Sequence, residues 1–223
     1  MGRYRGSLLR TVAVIALKGG SGKTTIAMHL ALAAHLRGVD TLVADIDPQR
    51  SAEGILSARA ASGPAWLTIA GARLMAAKFT ALSSRRQLLI VDTPAGALED
   101  VSEAVVLADF AVLVVRPTLI DLSGLARTLT LVRRLRKPSV VVMNQAPFAR
   151  EGIEPPLVKR ALRGLDYMQA PVAPVIVRAR SIYQTALETG RSVEESTDTA
   201  AADEVAALWA FVEAEIEDAT AKA

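Results

Sequence analysis

A chain of 223 residues with 51% apolar and 22% charged side chains is long enough for one sizeable α/β domain and too apolar to be disordered. It contains no cysteine, which excludes disulfides, thiolate nucleophiles and cysteine-ligated iron–sulfur clusters. The net charge of +3 is unevenly spread: Arg and Lys recur from Arg116 to Arg191, while Glu194 to Asp218 is acidic. That balance suits salt-sensitive contact with a polyanion, or equally an ordinary solvated surface.

No uninterrupted apolar run approaches the roughly 18 residues of a membrane helix. Met1 to Arg10 is basic and lacks the apolar core of a signal peptide, so a cytoplasmic chain is expected, with one domain over 1–223 and a flexible start over 1–10. Thr11 to Leu17 then reads as a buried strand and Ile26 to Leu36 as a helix, carrying His29 and His35 at no metal-ligand spacing and so expected on its surface. Between them stands Lys18-Gly19-Gly20-Ser21-Gly22-Lys23-Thr24-Thr25. A glycine loop between strand and helix lets backbone N–H groups and the helix N-terminus face a phosphate. In such a loop Lys23 reaches the terminal phosphates and the Thr24 hydroxyl holds Mg²⁺. The usual first glycine of the pattern is replaced by Leu17, and a second lysine, Lys18, precedes the glycines.

Strand and helix signals alternate from here on, which predicts a mostly parallel, twisted α/β sheet with helices on both faces. The first helix stops at Arg37-Gly38. Thr41 to Ala44 is a strand running into Asp45-Ile46-Asp47-Pro48-Gln49, and acidic residues at a strand's carboxyl end lie where such sheets bind ligands. Ser51 to Ala60 reads as a short helix, Trp66 to Ala70 as an edge strand and Ala72 to Leu82 as a helix. Gln87 to Val91 is a strand ending at Asp92-Thr93-Pro94, where the carboxylate would hold Mg²⁺, commonly through water. Leu98 to Leu107 is helical, Phe110 to Val115 a strand, Asp121 to Leu135 a helix with Asp121 or Ser123 near its cap, and Ser139 to Met143 a strand ending at Asn144. Pro155 to Leu165, Ile182 to Thr189 and Ala200 to Ile216 read as helices, with a strand in Pro171 to Val177. The last helix carries an apolar face of Val205, Leu208, Trp209, Val212 and Ile216, a packing stripe.

Three such stretches, Lys18 to Thr25, Asp45 to Gln49 and Asp92 to Pro94, each follow an apolar run, and together they predict a nucleoside-triphosphate site. The first resembles the deviant Walker A motif of the ParA/MinD family of P-loop ATPases. The second resembles that family's next motif, Leu88 to Pro94 its Walker B strand, and Val114-Val115-Arg116-Pro117-Thr118 the segment after the following strand. Asp121 to Gly124 and Val193 to Ser196 look most like the small, ParF-like ParA type. The resemblance implies an ATPase that binds ATP/ADP with Mg²⁺ through Gly19, Gly20, Ser21, Gly22, Lys23, Thr24 and Thr25. It implies that Lys18 reaches across a homodimer to the partner's phosphates, that Asp47 positions the attacking water, that Asp45 and Asp92 support the metal, and that Asn144 contacts adenine. Asp45 has a second reading as the cap of the next helix and Asn144 as a turn residue.

The resemblance further implies weak hydrolysis without a partner, a ParB-like or other small stimulating protein, and binding to non-specific DNA in the ATP state, hence association with the nucleoid. Candidate DNA contacts are Arg178, Arg180 and Arg191, and behind them Arg150, Lys159, Arg160 and Arg163. A MinD-like membrane ATPase would need a basic amphipathic C-terminal helix, which Glu213 to Asp218 opposes. A carboxylate–amine ligase or small-molecule kinase on the same scaffold would have no use for Lys18.

Overall fold

The computed structural model describes residues 9–70, 73–96 and 98–221. Most of the expected flexible start lies outside the described residues; its last two are part of the fold, Leu9 being buried and Arg10 opening the first strand. Seven strands form one sheet: β1 Arg10–Ile15, β2 Thr41–Asp45, β3 Ala65–Thr68, β4 Leu88–Asp92, β5 Phe110–Val115, β6 Ser139–Ala146 and β7 Val172–Arg178. Their order is β3-β2-β4-β1-β5-β6-β7, and every pairing is parallel. Among the described residues eight α-helices cross between them or close the chain: α1 Lys23–Leu36, α2 Ser51–Ser57, α3 Leu74–Ser83, α4 Leu98–Leu107, α5 Leu119–Arg134, α6 Pro156–Tyr167, α7 Ile182–Leu187 and α8 Thr199–Ala221. A parallel sheet must be covered on both faces, which is why β1, β2, β4 and β5 are apolar runs rather than alternating ones.

The pleat divides the core in two. Val12 and Val14 of β1 pack with α1 and α8, while Ala13 and Ile15 pack with α3, α4, α5 and α6. The α8 stripe is core: Val205, Leu208, Trp209, Val212 and Ile216 are all buried. The chain leaves β1 towards one edge, returns to place β4 beside it, and only then builds the other half from β5 onward. The carboxyl end of β1 is therefore the switch point at which open α/β sheets leave a crevice for ligands.

Two expectations need correction. His29 is not on the surface but buried, because α1 is enclosed by the sheet and α8 and has no wet face along Ile26 to Ala34. Its Nε2 lies 3.0 Å from the Tyr183 carbonyl oxygen. The α5 cap is Thr118, whose hydroxyl accepts the Asp121 N–H at 3.2 Å, and Asp121 is itself buried against Arg116.

Burial pushes the His29 imidazole down to about 4, against the weaker pull of the Tyr183 hydrogen bond. Unfolded, it takes a proton near its ordinary 6.5. Stability linked to His29 is thus complete above about pH 6.5 and drains away towards pH 4, a loss of roughly 2–3 kcal/mol. Urea midpoints measured from pH 7.5 to 4.5 are expected to fall more steeply for the native chain than for His29→Gln; parallel curves would contradict this.

Candidate nucleotide site

The loop between β1 and α1 is shaped by glycine where nothing else fits. Gly20 and Gly22 have φ of 74° and 88°, a region costly for residues with a Cβ. A Cβ on Gly22 would also lie 2.2 Å from Asn144 Nδ2. Asn144, buried at the end of β6, donates that nitrogen to the Ser21 carbonyl at 2.8 Å, and Gln145 Nε2 reaches the Gly20 carbonyl at 3.2 Å. The loop is thus held by two side-chain amides through the carbonyls of Gly20 and Ser21. No side chain caps α1, so its first-turn N–H groups remain for an anion.

The register of the strands brings the acidic residues together. Asp45 and Asp92 are paired neighbours at the ends of β2 and β4, and Val14 pairs with Asp92 from β1. The Asp45 oxygens accept the N–H groups of Asp47 (3.1 Å), Ala52 (3.0 Å) and Glu53 (3.2 Å), so Asp45 fixes the turn after β2 and the start of α2. Burial pushes its carboxyl up, and those three hydrogen bonds oppose it. Asp47 is partly exposed and accepts the Gln49 N–H at 2.9 Å.

Asp92 differs. It is fully buried, and neither oxygen has a hydrogen-bond partner of ordinary geometry among the described residues. Burial pushes its carboxyl up to about 7; the nearby Thr24 hydroxyl and Lys23 pull it down, and Asp45 and Asp47 push it up further. Lys23 is almost fully buried beside it. Burial drives the Lys23 amine down, with Asp92 and Asp47 resisting. A buried lysine, two carboxylates and a hydroxyl thus stand together at the mouth of uncapped amides. Among the described residues no three His, Cys, Asp or Glu side chains cluster to cage a metal. Mg²⁺ held by one or two side chains, waters and substrate phosphates needs no such cage, and the orphaned Asp92 oxygens beside Thr24 fit that role.

Lys18 is placed elsewhere. Its stem lies along α5, where a Cβ on Gly124 would meet Lys18 Cγ at 3.3 Å, and it lines a 380 Å³ cavity with Leu98, Ser123, Gly124 and Arg127. A second cavity, of 310 Å³, opens from Thr25 and Asn144 to the turn after β7, lined by Gln145, Arg180, Tyr183 and Gln184. Among its lining residues the sequence singles out Asn144 for adenine and Arg180 for DNA, while Gln145, Tyr183 and Gln184 come beside the loop only through the fold. The three cations first proposed for DNA are each drawn onto a protein partner. Arg178 pairs with Glu154 at 2.6 Å, Arg180 with Glu204 at 3.1 Å while lying 4.8 Å over the Phe148 ring, and Arg191 donates to the Glu195 carbonyl. Lys159, Arg160 and Arg163 are exposed on α6, with no ion pair among the described residues.

A phosphate-cradling loop at the switch point of an all-parallel sheet, with acidic residues on the neighbouring strand ends, defines a P-loop nucleotide-binding α/β protein. Within that class the chain belongs to the CobQ/CobB/MinD/ParA nucleotide-binding domain family, whose model matches residues 12–192. Similar folds include apo McdA of Cyanothece (TM-score 0.75, 17% identity, 96% of this chain and 100% of that one) and the cell-division protein MinD of Aquifex aeolicus (0.74, 19%, 92% and 97%). A plasmid partition protein of Borrelia burgdorferi B31 bound to AMPPNP is also similar (0.71, 14%, 92% and 99%). In sequence, a Rhizobium rhizogenes protein named replication protein A is 42% identical over 57 residues, which span 26% of this chain and only 14% of that protein.

Proposed function

We propose that this chain is an ATP-dependent dimerising ATPase that partitions or positions plasmid or chromosomal DNA, or another large cargo, held on non-specific DNA in its ATP state and released on hydrolysis. The observation that carries this reading is the unlike setting of two lysines in one loop. Lys23 is buried against Asp92 and Asp47, as a residue serving its own nucleotide would be. Lys18 is exposed outside that cluster, its stem against Gly124 of α5 in a cavity shared with exposed Leu98, as a residue serving a second subunit would be. A cation supplied across a dimer ties hydrolysis to assembly, since phosphoryl transfer needs positioning and charge rather than covalent chemistry.

In this reading the loop amides and Lys23 take the phosphates, and the 310 Å³ cavity at Asn144 takes the base and ribose. Thr24 and Asp92 would hold Mg²⁺, which would supply charge neutralisation on the phosphates. Asp45 acts one step back by holding the turn that carries Asp47. Asp47, free on one side, orients water. DNA contact falls best on Lys159, Arg160 and Arg163 of α6, because the Arg178 and Arg180 guanidiniums are already committed to carboxylates. The name of the Borrelia protein favours plasmid partition over other cargo, with a ParB-like or other small protein as stimulator.

With ATP, the chain is expected to be retained on non-specific DNA in a salt-sensitive way. Asp47→Ala should keep it there after wild-type protein has turned over its ATP and left. Absence of ATP-dependent retention in both proteins sinks the DNA reading, and normal turnover by Asp47→Ala removes Asp47 from its role.

A further inference from the structure

Arg116 follows β5 at its carboxyl end, on the same rim of the sheet as the phosphate loop. Its backbone N–H and Nε both donate to Asp121 Oδ2, at 3.2 and 2.8 Å, and Nη2 donates to Asp121 Oδ1 at 3.1 Å. Asp121 is buried and sits in the first turn of α5. Burial works to raise its carboxyl, but the Arg116 hydrogen bonds and charge, with the Thr118 hydroxyl, outweigh this and hold it below the usual range. A two-point Arg–carboxylate fork is among the most directional pairings available to a side chain. Here it uses one edge of the guanidinium and leaves the other nitrogen, Nη1, without a hydrogen-bond partner among the described residues. That nitrogen lies 3.7 Å from where a Cβ on Gly20 would be, against the outer half of the phosphate loop. The Arg116 side chain keeps about a third of its surface open.

Locking an arginine in this way takes side-chain entropy out of whatever it meets next. The fork with Asp121 is neutral as a pair, so the contribution at the loop is two directed N–H donors on a cationic carbon, not added net charge. Lys23 is buried at the start of α1, three residues along the loop from Gly20, so a cation beside Gly20 meets a bound phosphate chain from a different point of the cradle. We propose that Arg116 is an additional phosphate-binding residue of this site, held by Asp121 so that Nη1 donates to the phosphate chain of a bound nucleoside triphosphate. This inference rests on the nucleotide-binding reading above. It differs from that reading in giving the site a third cation, one that neither Walker-type motif contains.

The test is equilibrium binding of a non-hydrolysable ATP analogue and of ADP, each with Mg²⁺, to the wild-type chain, Arg116→Ala, Arg116→Lys, Asp121→Asn and Lys23→Ala, alongside melting temperatures without nucleotide. A charge-assisted hydrogen bond of about 1.5–3 kcal/mol makes the expected loss in Arg116→Ala about 10- to 100-fold for the triphosphate analogue, with a smaller loss for ADP. Arg116→Lys keeps the charge without the fork and should fall between. Asp121→Asn should weaken analogue binding although it touches no nucleotide itself. A merely structural role predicts lower melting temperatures with equal, small changes for both nucleotides, and that pattern overturns the proposal. Unchanged analogue affinity in Arg116→Ala, with binding lost in Lys23→Ala, overturns it while leaving the nucleotide site standing. Failure of the wild-type chain to bind either nucleotide overturns both.

Discussion

Lys18→Ala is expected to abolish ATP-driven dimerisation and to cut hydrolysis by about 10³-fold, in the range lost when a cation supplied from a second subunit is removed. The fold should be untouched. Lys18 makes no ion pair among the described residues, and its stem rests on the surface of α5 at Gly124 rather than inside either core. Binding of ADP should also survive, because the residues placed for a subunit's own nucleotide are Lys23, the uncapped α1 amides and Thr24. The variant therefore separates two functions that an ordinary phosphate loop would combine. Sizing by light scattering, isothermal titration with ADP and phosphate release measure the three quantities on one preparation. A variant that still dimerises with ATP and turns over at the native rate would make Lys18 a plain loop residue.

Asp92→Asn should stop Mg²⁺-dependent hydrolysis and, at the same time, stabilise the nucleotide-free chain. Burial holds the Asp92 carboxyl at about 7 against an ordinary 3.8. The folded state therefore keeps a proton that the unfolded chain gives up. Between about pH 4 and pH 7 the folded form binds more protons, so unfolding free energy falls as pH rises through that window. The cost at pH 8 is roughly 2–4 kcal/mol, and an uncharged amide at this position does not incur it. Melting curves without nucleotide should then show the Asp92→Asn variant above native protein at pH 8, with the gap shrinking as pH falls and nearly closed at pH 4. Adding ATP with Mg²⁺ should raise the native midpoint far more than the variant's. Equal melting temperatures at pH 8 would mean that the Asp92 charge is already compensated without a ligand, and turnover by the variant would exclude it from holding the metal.

How far the sequence alone leads depends on whether partners are close in the chain. The loop from Lys18 to Thr25 is contiguous, its glycine conformations are local, and its strand and helix are marked by apolar runs on either side. Asp45 and Asp92 were legible because each ends an apolar run, and a parallel register at matched strand ends then sets them side by side. The capping reading of Asp45 holds as a geometric fact, and it does not displace a supporting role at the metal. The β4–α4–β5 stretch was readable nearly residue by residue, while β6 runs three residues further than its apolar run, to Ala146. What sequence could not show is contact across long separations. His29 reads as a polar residue on an amphipathic helix until Tyr183, 154 residues away, supplies a carbonyl inside the core. Arg178 and Arg180 read as free cations until Glu154 and Glu204 are folded against them. Arg116 could be placed at a strand end from its position in the chain, but nothing in the sequence aims its guanidinium at Gly20.

The central claim is that one nucleotide site is completed by two copies of the chain. The mass of wild-type protein in solution, measured by multi-angle light scattering with ATP and Mg²⁺ and again with ADP and Mg²⁺, tests it most directly. The account predicts about 47 kDa with ATP, twice the 23.6 kDa of the single chain, and the single-chain mass with ADP. A single-chain mass with both nucleotides, at protein concentrations where ATP is bound, would contradict it.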